Sequence, residues 1–365
     1  MVAKGENSHA QSPPASRHPV IEQDLAEIVS ADLPWDRLDG KTVLVAGAAG
    51  FVAAYLVETL LYRNEQTGAA AATRVIGLVR NREKAERRFQ AYQGRDDLVL
   101  VTGDVCDLPR IDGPVDVVVH AASNASPKAI SQDPVGTICA NVLGTHNLLK
   151  LARDHRSEHF LFFSSGEVYG RLAPGVPPIR EMDYGYLDPT DVRFCYGESK
   201  RMGENMCAAW RHQFGVPASM VRLGHTYGPG MQLDDGRVFA DFVSDIVHRR
   251  DIVLKSDGQA ERSFCYLADA TVGSLTVLLK GEAGNAYTVA NPGQCVKIID
   301  LAETLAGMFA DRGLRVVREA APSPDDPVRA PNPGAIPDIS KMRALGWAPT
   351  TGIREGFRKT VLSFE

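Results

Sequence analysis

Two residues with the chemistry of a proton-transfer pair stand four positions apart. Tyr196 and Lys200 have the spacing that places a phenol and an ammonium on one face of a helix. An unperturbed tyrosine has a pKa of about 10, too high for a base at neutral pH. A nearby ammonium favours the phenolate, so we predict that Lys200 lowers the pKa of Tyr196 and that both are catalytic. Such a pair is also common on helix surfaces, so its meaning depends on the residues around it.

A serine and a glutamate follow an apolar run upstream of this pair. The run 159–163 predicts a buried strand, and Ser165 and Glu167 come after its end. In open parallel sheets, ligands bind at the carboxyl ends of the strands. We therefore predict that Ser165 hydrogen-bonds the reacting hydroxyl of a substrate and that Glu167 acts as an acid, a base or a positioning group.

A glycine-rich turn between a predicted strand and a predicted helix offers a place for a dinucleotide. Gly47 permits a tight turn, and Gly50 lets the backbone approach a pyrophosphate. The N–H groups at the start of the next helix favour that anion. The alternative is a turn that only packs helix on strand, but its place in the sequence favours the dinucleotide. The predicted contacts in this turn are Gly47, Ala49, Gly50, Phe51 and Val52.

The end of the second predicted strand bears on which dinucleotide binds. An acidic residue there would bond the ribose hydroxyls of NAD, but this chain has Arg80. A guanidinium pairs readily with the 2′-phosphate of NADP and also covers an adenine face, so these residues leave NAD and NADP open. The further residues predicted to contact the cofactor are Asp104, Val105, Ala121, Ala122, Ser123 and Asn141, together with Tyr196 and Lys200.

The elements that must position these residues alternate between strand and helix. Apolar runs predict strands at 42–46, 74–79, 98–101, 115–120 and 159–163, and helical periodicity predicts helices at 51–63 and 134–153. Such units have right-handed crossovers and build a doubly wound sheet. We therefore predict the α/β class, with a Rossmann parallel sheet and a smaller C-terminal mixed α/β domain.

Three parts of the chain follow from this pattern. Residues 1–38 are predicted to form an N-terminal extension whose first part is a loose tail. Residues 39–224 are predicted to form the Rossmann domain that binds the cofactor, and residues 225–365 the domain that binds the substrate. Part of 262–282 is expected to return to the Rossmann domain.

Composition and charge exclude several classes of protein. The chain has 365 residues, of which 44% are hydrophobic and 23% charged, and a formal net charge of -5. These values are typical of a globular protein and offer no basic field for nucleic acid. No run reaches the roughly 18 to 20 apolar residues of a membrane span, so we predict no membrane partner. Six scattered cysteines predict free thiols in a cytoplasmic protein and no metal site.

These motifs together resemble the extended short-chain dehydrogenase/reductase family, from about residue 41 to residue 364. Within it the chain is most similar to UDP-glucuronate decarboxylases, through residues 192–201, 228–238, 262–269, 337–341 and 345–347. The resemblance implies NAD as the cofactor and a nucleotide-sugar as the substrate. It also implies a redox-neutral cycle, in which the sugar is oxidised at C4 to a ketone, loses carbon dioxide and regains its hydride.

The same resemblance implies roles for residues near the expected sugar. Glu167 takes the position of the active-site glutamate, and Arg262 that of an arginine lining the sugar and diphosphate pocket. Arg193 and Arg237 are further candidates for anion contacts, although a loop arginine is often an ordinary ion-pair residue. The predicted substrate-binding residues are Ser165, Gly166, Arg193, His225, Arg237 and Arg262.

Two of these positions depart from the decarboxylase pattern. Gly166 stands where those enzymes usually carry serine and many 4,6-dehydratases carry aspartate, and His225 stands in place of an asparagine. A nucleotide-sugar 4-epimerase and a 4,6-dehydratase therefore stay open. An NADPH-dependent ketone reductase is a further alternative, which Arg80 favours. A non-catalytic dinucleotide-binding sensor is opposed by the joint presence of the serine, tyrosine and lysine.

An expected oligomeric state follows from the resemblance as well. In this family, helices corresponding to residues 134–153 and 196–214 often pair across a two-fold axis. We therefore predict a homodimer formed through a four-helix bundle.

Overall fold

Strands and helices alternate along most of the chain. The computed structural model describes residues 16–172, 178–319 and 336–365, so the predicted loose tail before residue 16 lies outside the described residues. The strands are β1 Thr42–Ala46, β2 Arg74–Val79, β3 Leu98–Thr102, β4 Val117–His120, β5 His159–Ser165, β6 Ala218–Leu223, β7 His225–Tyr227, β8 Ile252–Leu254, β9 Glu261–Tyr266, β10 Ala286–Val289, β11 Cys295–Lys297 and β12 Val316–Arg318. The helices are α1 Pro19–Val29, α2 Phe51–Gln66, α3 Arg82–Arg88, α4 Pro127–Gln132, α5 Pro134–His155, α6 Cys195–Phe214, α7 Val238–Val247, α8 Leu267–Lys280, α9 Ile298–Met308, α10 Ser340–Ala344 and α11 Ile353–Leu362.

One large parallel sheet carries the predicted cofactor and catalytic residues. Its seven strands follow the order β3, β2, β1, β4, β5, β6, β10, and every neighbouring pair is parallel. This confirms the predicted Rossmann sheet. The strand order reverses between β1 and β4, and ligands of such sheets bind in the crevice beyond the carboxyl ends of the strands at that point.

Different helices cover the two faces of this sheet. In β1, Val43 and Val45 belong to the apolar cluster that includes α1, α2 and α8, whereas Leu44 and Ala46 belong to the cluster that includes α5 and α6. The alternation follows from the two-residue period of a strand. Both faces of β1 are thus shielded from water, which explains why the strand is a continuous run of apolar residues.

The later part of the chain builds two smaller sheets and also returns to the large one. Strands β7, β9 and β11 form a three-stranded sheet, and β8 pairs with β12. Strand β10 joins the edge of the large sheet beside β6. The chain therefore contributes to the large sheet beyond the predicted return segment of 262–282. No helix in the described ranges is long and apolar enough to cross a bilayer.

A buried carboxylate ties the first described helix to the rest of the chain. Asp24 in α1 is fully buried and accepts hydrogen bonds from Tyr55 (2.9 Å), Tyr266 (2.6 Å) and the ammonium of Lys359 (3.1 Å). These partners come from α2, from the end of β9 and from α11. Burial raises the pKa of Asp24, so its charge depends on these donors.

Removing this carboxylate tests how much the link stabilises the protein. We expect Asp24→Ala to lower the free energy of unfolding by about 2–4 kcal/mol, because it leaves two buried phenols and one ammonium short of an acceptor. Urea unfolding measures the change. Glu27→Ala is the matched control, because Glu27 contacts the same Lys359 but its side chain is 49% exposed, so we expect a loss below about 1 kcal/mol. Equal losses in both variants would contradict the prediction.

Candidate active site

The glycine-rich turn has the geometry that a dinucleotide requires. Gly47 has a φ of 77°, and a Cβ there would lie 2.7 Å from the Cα of Ala122. The turn is therefore packed against the residues that follow β4, at the point where the strand order reverses. Gly50 precedes α2 and provides no side-chain cap, so the first N–H groups of a 16-residue helix face the same crevice without a capping side chain. These features fit the pyrophosphate of NAD.

The residues predicted to contact the adenosine surround the ends of β2 and β3. Arg80 is exposed, and its Nη2 donates to the Asn124 side chain at 3.2 Å. A carboxylate oxygen of Asp104 accepts the N–H of Cys106 at 2.8 Å, which shapes the turn after β3. Val105 is buried against α5. The structure thus brings these predicted residues to one edge of the sheet.

Residues after β4 continue the same edge. Ala121 extends the pairing of β4 with β1, because its N–H donates to the carbonyl of Ala46 at 3.0 Å. Ala122 lies against Gly47, and the hydroxyl of Ser123 reaches the carbonyl of Asn124 at 3.4 Å. The small side chains leave the backbone accessible beside the turn.

Asn141 differs from its predicted role as a cofactor contact. Its side chain is completely buried, and its Nδ2 donates to the hydroxyl of Ser199 at 2.9 Å. Ser199 in turn donates to the carbonyl of Tyr196 at 2.9 Å. Asn141 therefore links α5 to the first turn of α6, and a side chain with no accessible surface cannot touch a ligand. The sequence could not reveal this, because the contact depends on how α5 packs on α6.

The serine, tyrosine and lysine meet at the carboxyl edge of β5. Helix α6 begins at Cys195, so Tyr196 and Lys200 lie one turn apart on one face. The Nζ of Lys200 lies 5.7 Å from the centroid of the Tyr196 ring and donates to the carbonyl of Phe163 at 2.7 Å. The hydroxyl of Ser165, two residues further along β5, lies close enough to the phenol of Tyr196 to act on its pKa.

Burial dominates the titration of this group. It raises the pKa of Tyr196 to about 12, although the Ser165 hydroxyl and the charge of Arg237 act in the opposite direction. It lowers the pKa of Lys200 to about 7, because the ammonium is almost completely shielded from water. The prediction that Lys200 lowers the pKa of Tyr196 stays a prediction, because the positive nicotinamide ring of a bound cofactor would add to the charge beside the phenol. Desolvation outweighs the ammonium, which is directed at the carbonyl of Phe163.

Three predicted arginines converge on the predicted glutamate. Burial raises the pKa of Glu167, while the positive charges of Arg262, Arg193 and Arg237 lower it, in that order. Glu167 is nevertheless exposed, so a ligand can reach this residue from the solvent. Arg237 also pairs with Asp235 at 3.4 Å, so at least two carboxylates stand near these three guanidinium groups. Guanidinium groups suit bidentate contact with an anionic ligand.

His225 and Gly166 complete the wall of this cleft. Burial, together with Arg262 and Arg237, lowers the pKa of His225 to about 3, so the ring is neutral at pH 7. Its ring packs edge-on against Phe264 with the centroids 6.2 Å apart. A Cβ on Gly166 would meet only the carbonyl of Leu223 at 3.6 Å, an ordinary contact, so this position has room for a side chain.

A buried ion pair behind the site was missed by the sequence analysis. Arg222 in β6 is bidentate to Glu204 in α6, at 2.8 and 2.7 Å, and Glu204 also accepts the hydroxyl of Ser164 at 2.5 Å. The pair joins β6 and α6 to the residue next to Ser165. The only signal in the sequence is an arginine inside an apolar strand, since its partner lies on another element.

A glycine-rich turn and a serine–tyrosine–lysine group at one edge of a doubly wound sheet define a short-chain dehydrogenase/reductase. The chain belongs to the NAD dependent epimerase/dehydratase family, whose model matches residues 43–291. This confirms the predicted family, the prediction of an enzyme, and NAD as its cofactor. The roles of individual site residues stay predictions.

Several known enzymes are similar to this chain in sequence or in structure. The chain is 34% identical to UDP-glucuronic acid decarboxylase 6 of Arabidopsis thaliana over 316 residues, which cover 86% of each chain. Among solved structures, UDP-glucose 4-epimerase of Thermotoga maritima with UDP-glucose has a TM-score of 0.73 at 21% identity, covering 88% of this chain and 98% of that one. UDP-glucuronic acid 4-epimerase of Bacillus cereus, in complex with UDP-glucuronic acid and NAD, has a TM-score of 0.70 at 20% identity and the same coverage. These two structures support the fold.

Proposed function

We propose that this protein is a UDP-glucuronate decarboxylase that forms a 4-keto sugar as its intermediate. The single observation that carries the proposal is that Ser165 and Tyr196 lie within electrostatic reach of Glu167 and Arg237, and that Arg262 and Arg193 also act on Glu167. A hydroxyl-activating pair thus stands beside a place for several negative charges. UDP-glucuronate presents both a reactive 4-hydroxyl and three anionic groups. The similarity to a curated decarboxylase supports the same substrate.

The turn of Gly47 and Gly50 would hold NAD, which when bound would supply the acceptor and the donor of the C4 hydride. Tyr196 takes the proton of the 4-hydroxyl, and Ser165, which lies near the phenol, donates a hydrogen bond to the same sugar oxygen. Because burial holds the pKa of the phenol near 12, Tyr196 needs positive charge beside it to act as a base. The charge of Arg237 lowers the phenol pKa, and the Nζ of Lys200 lies 5.7 Å from the centroid of the ring, so these two cations are the candidates for that role.

The ketone at C4 makes the C6 carboxylate a β-keto acid. The C5–C6 bond breaks, carbon dioxide leaves, and the electron pair passes to the enolate between C5 and the C4 oxygen. The protonated Tyr196 and Ser165 stabilise that oxygen, and C5 then takes up a proton. Glu167, whose pKa is raised by burial, is placed to exchange that proton. The arginines around it hold the diphosphate and carboxylate.

A nucleotide-sugar 4-epimerase is the second candidate. The room beside Gly166 favours it, because a 4-keto sugar must rotate before the hydride returns to its opposite face. The two candidates differ in the mass of the product and require the same Ser165 and Tyr196.

Product masses decide between these functions. We expect the purified protein with NAD to convert UDP-glucuronate into a product lighter by one carbon dioxide, with no change in UDP-glucose. Tyr196→Phe is expected to lower kcat at least about 100-fold without unfolding the protein, because it removes only the phenol oxygen. Mass spectrometry measures the product. Unaltered UDP-glucuronate would overturn the proposal, and an unchanged mass with inversion at C4 would replace it with the epimerase.

Gly166 offers a second test of substrate identity. We expect Gly166→Ser to raise kcat/KM for UDP-glucuronate about five- to tenfold, because it adds one hydroxyl beside Glu167 in a space that accepts it. Thermal unfolding should stay unchanged. Gly68→Ser, at a glycine with no neighbour within 4 Å, is the matched control. A fall in kcat/KM specific to Gly166→Ser would contradict the predicted role of this position.

We also propose that two copies of the chain associate through α5 and α6. We further propose that the protein is located in the cytoplasm. Helices α5 and α6 leave large apolar side chains exposed, whose exposed fractions are 68% for Val135, 52% for Leu143 and 49% for Met202. Covering them by a second copy removes apolar surface from water. All six cysteines are free thiols, which supports a cytoplasmic location.

The mass in solution tests the dimer. Sedimentation should give twice the chain mass of 39.5 kDa, and Leu143→Glu with Met202→Glu should give the monomer, because two carboxylates would be buried at the interface. Leu362→Glu is the control, since Leu362 is 39% exposed on α11. A monomeric mass of the unaltered chain would contradict the proposal.

A further inference from the structure

The side chain that follows β2 occupies a defined place beside the nucleotide turn. Strand β2 pairs with β1, and the N–H groups of Gly47 and Ala48 donate to the carbonyl of Leu78 at 2.9 and 3.3 Å. Residue 80 therefore stands two positions beyond the residue that anchors the turn. In this topology, the side chain there meets the adenosine ribose.

A cation with a neutral partner occupies that place. Arg80 is exposed, and its Nη2 donates a hydrogen bond to the Oδ1 of Asn124 at 3.2 Å. The Nδ2 of Asn124 faces Asp133 at 3.4 Å, which turns the amide oxygen toward Arg80. Arg80 is thus steered by an amide and keeps its charge available to a ligand.

The neighbours of Arg80 are already engaged. The side chain of Asn81 caps α3 by accepting the N–H of Lys84 at 2.8 Å. Arg82 pairs with Glu86 at 2.7 Å and donates to the carbonyl of Leu100 at 2.8 Å. Residues 80–82 include no carboxylate that could accept the two ribose hydroxyls of NAD. Arg82 is held by an ion pair, whereas the partner of Arg80 is a neutral amide, so the charge of Arg80 is available to a ligand.

We propose that Arg80 binds the 2′-phosphate of NADP, so that this member of an NAD-dependent family binds NADP at least as tightly as NAD. A guanidinium forms charge-assisted hydrogen bonds with a phosphate dianion, whereas it offers a ribose hydroxyl only donors. An acidic residue at this place would instead repel the phosphate. The inference rests on the nucleotide site and is independent of the sugar chemistry.

Equilibrium binding of NAD and NADP to the cofactor-free protein tests this assignment without any sugar present. Calorimetry should give a Kd for NADP equal to or below that for NAD. Arg80→Ala should weaken NADP at least tenfold and change NAD less than threefold, and Arg80→Lys should retain part of the affinity for NADP. Thermal unfolding verifies that each variant is folded.

Arg87→Ala is the matched control, because it removes the same charge from α3 at a side chain that is 72% exposed. It should change the Kd of NADP less than threefold. Competition by adenosine 2′,5′-bisphosphate against AMP gives a second measurement, and the bisphosphate should compete better only when Arg80 is present. A Kd for NADP above that for NAD, or equal losses in Arg80→Ala and Arg87→Ala, would overturn the assignment. Neither result would affect the decarboxylase proposal, which product masses test separately.

Discussion

The ammonium of Lys200 is buried, and the geometry of the site depends on the hydrogen bond that offsets the free-energy cost of removing this charge from water. Its hydrogen bond to the carbonyl of Phe163 fixes α6 against β5 at one point. Ser165 lies two residues beyond that carbonyl and Tyr196 one helical turn before the lysine, so this one bond sets the distance between hydroxyl and phenol. The same shielding that lowers the pKa of Lys200 also strengthens its electrostatic interactions with its immediate neighbours, because few waters screen them.

A second buried contact keeps the two elements from sliding. Arg222 and Glu204 join β6 to α6, and Glu204 also holds Ser164. A buried pair of this kind costs desolvation and contributes little net stability, but it permits only one register between strand and helix. The placement of Ser165 therefore relies on a pair that never touches a ligand.

Local patterns in the sequence predicted what depends on local geometry. The turn at Gly47 follows from one strand, one helix and the glycines between them, and the spacing of Tyr196 and Lys200 follows from helical periodicity. The alternation of apolar runs was enough to predict the parallel sheet. The roles of the arginines were predicted from the resemblance to a family. Their positions around Glu167 depend on loops, whose conformation does not follow from a periodic sequence pattern.

What the sequence did not reveal depends on burial and on partners far apart in the chain. Nothing in the spacing of Tyr196 and Lys200 indicates how far burial shields them from water, so the spacing alone did not reveal that burial raises the phenol pKa. Asn141 was assigned to the cofactor although it lies inside the packing of α5 on α6. Arg222 with Glu204, and Asp24 with its three donors, join elements whose distance becomes clear only once the sheet is assembled.

The ion pair between Asp24 and Lys359 joins residues 335 positions apart and thereby has a consequence for biosynthesis. During translation, Asp24 is synthesised 335 residues before Lys359. The carboxylate of Asp24 lacks its cation throughout that interval, so α1 cannot complete its docking on a nascent chain. Closure of the fold around Asp24 therefore waits until α11 has been synthesised, and the apolar side of α1 is a surface that chaperones would encounter until then.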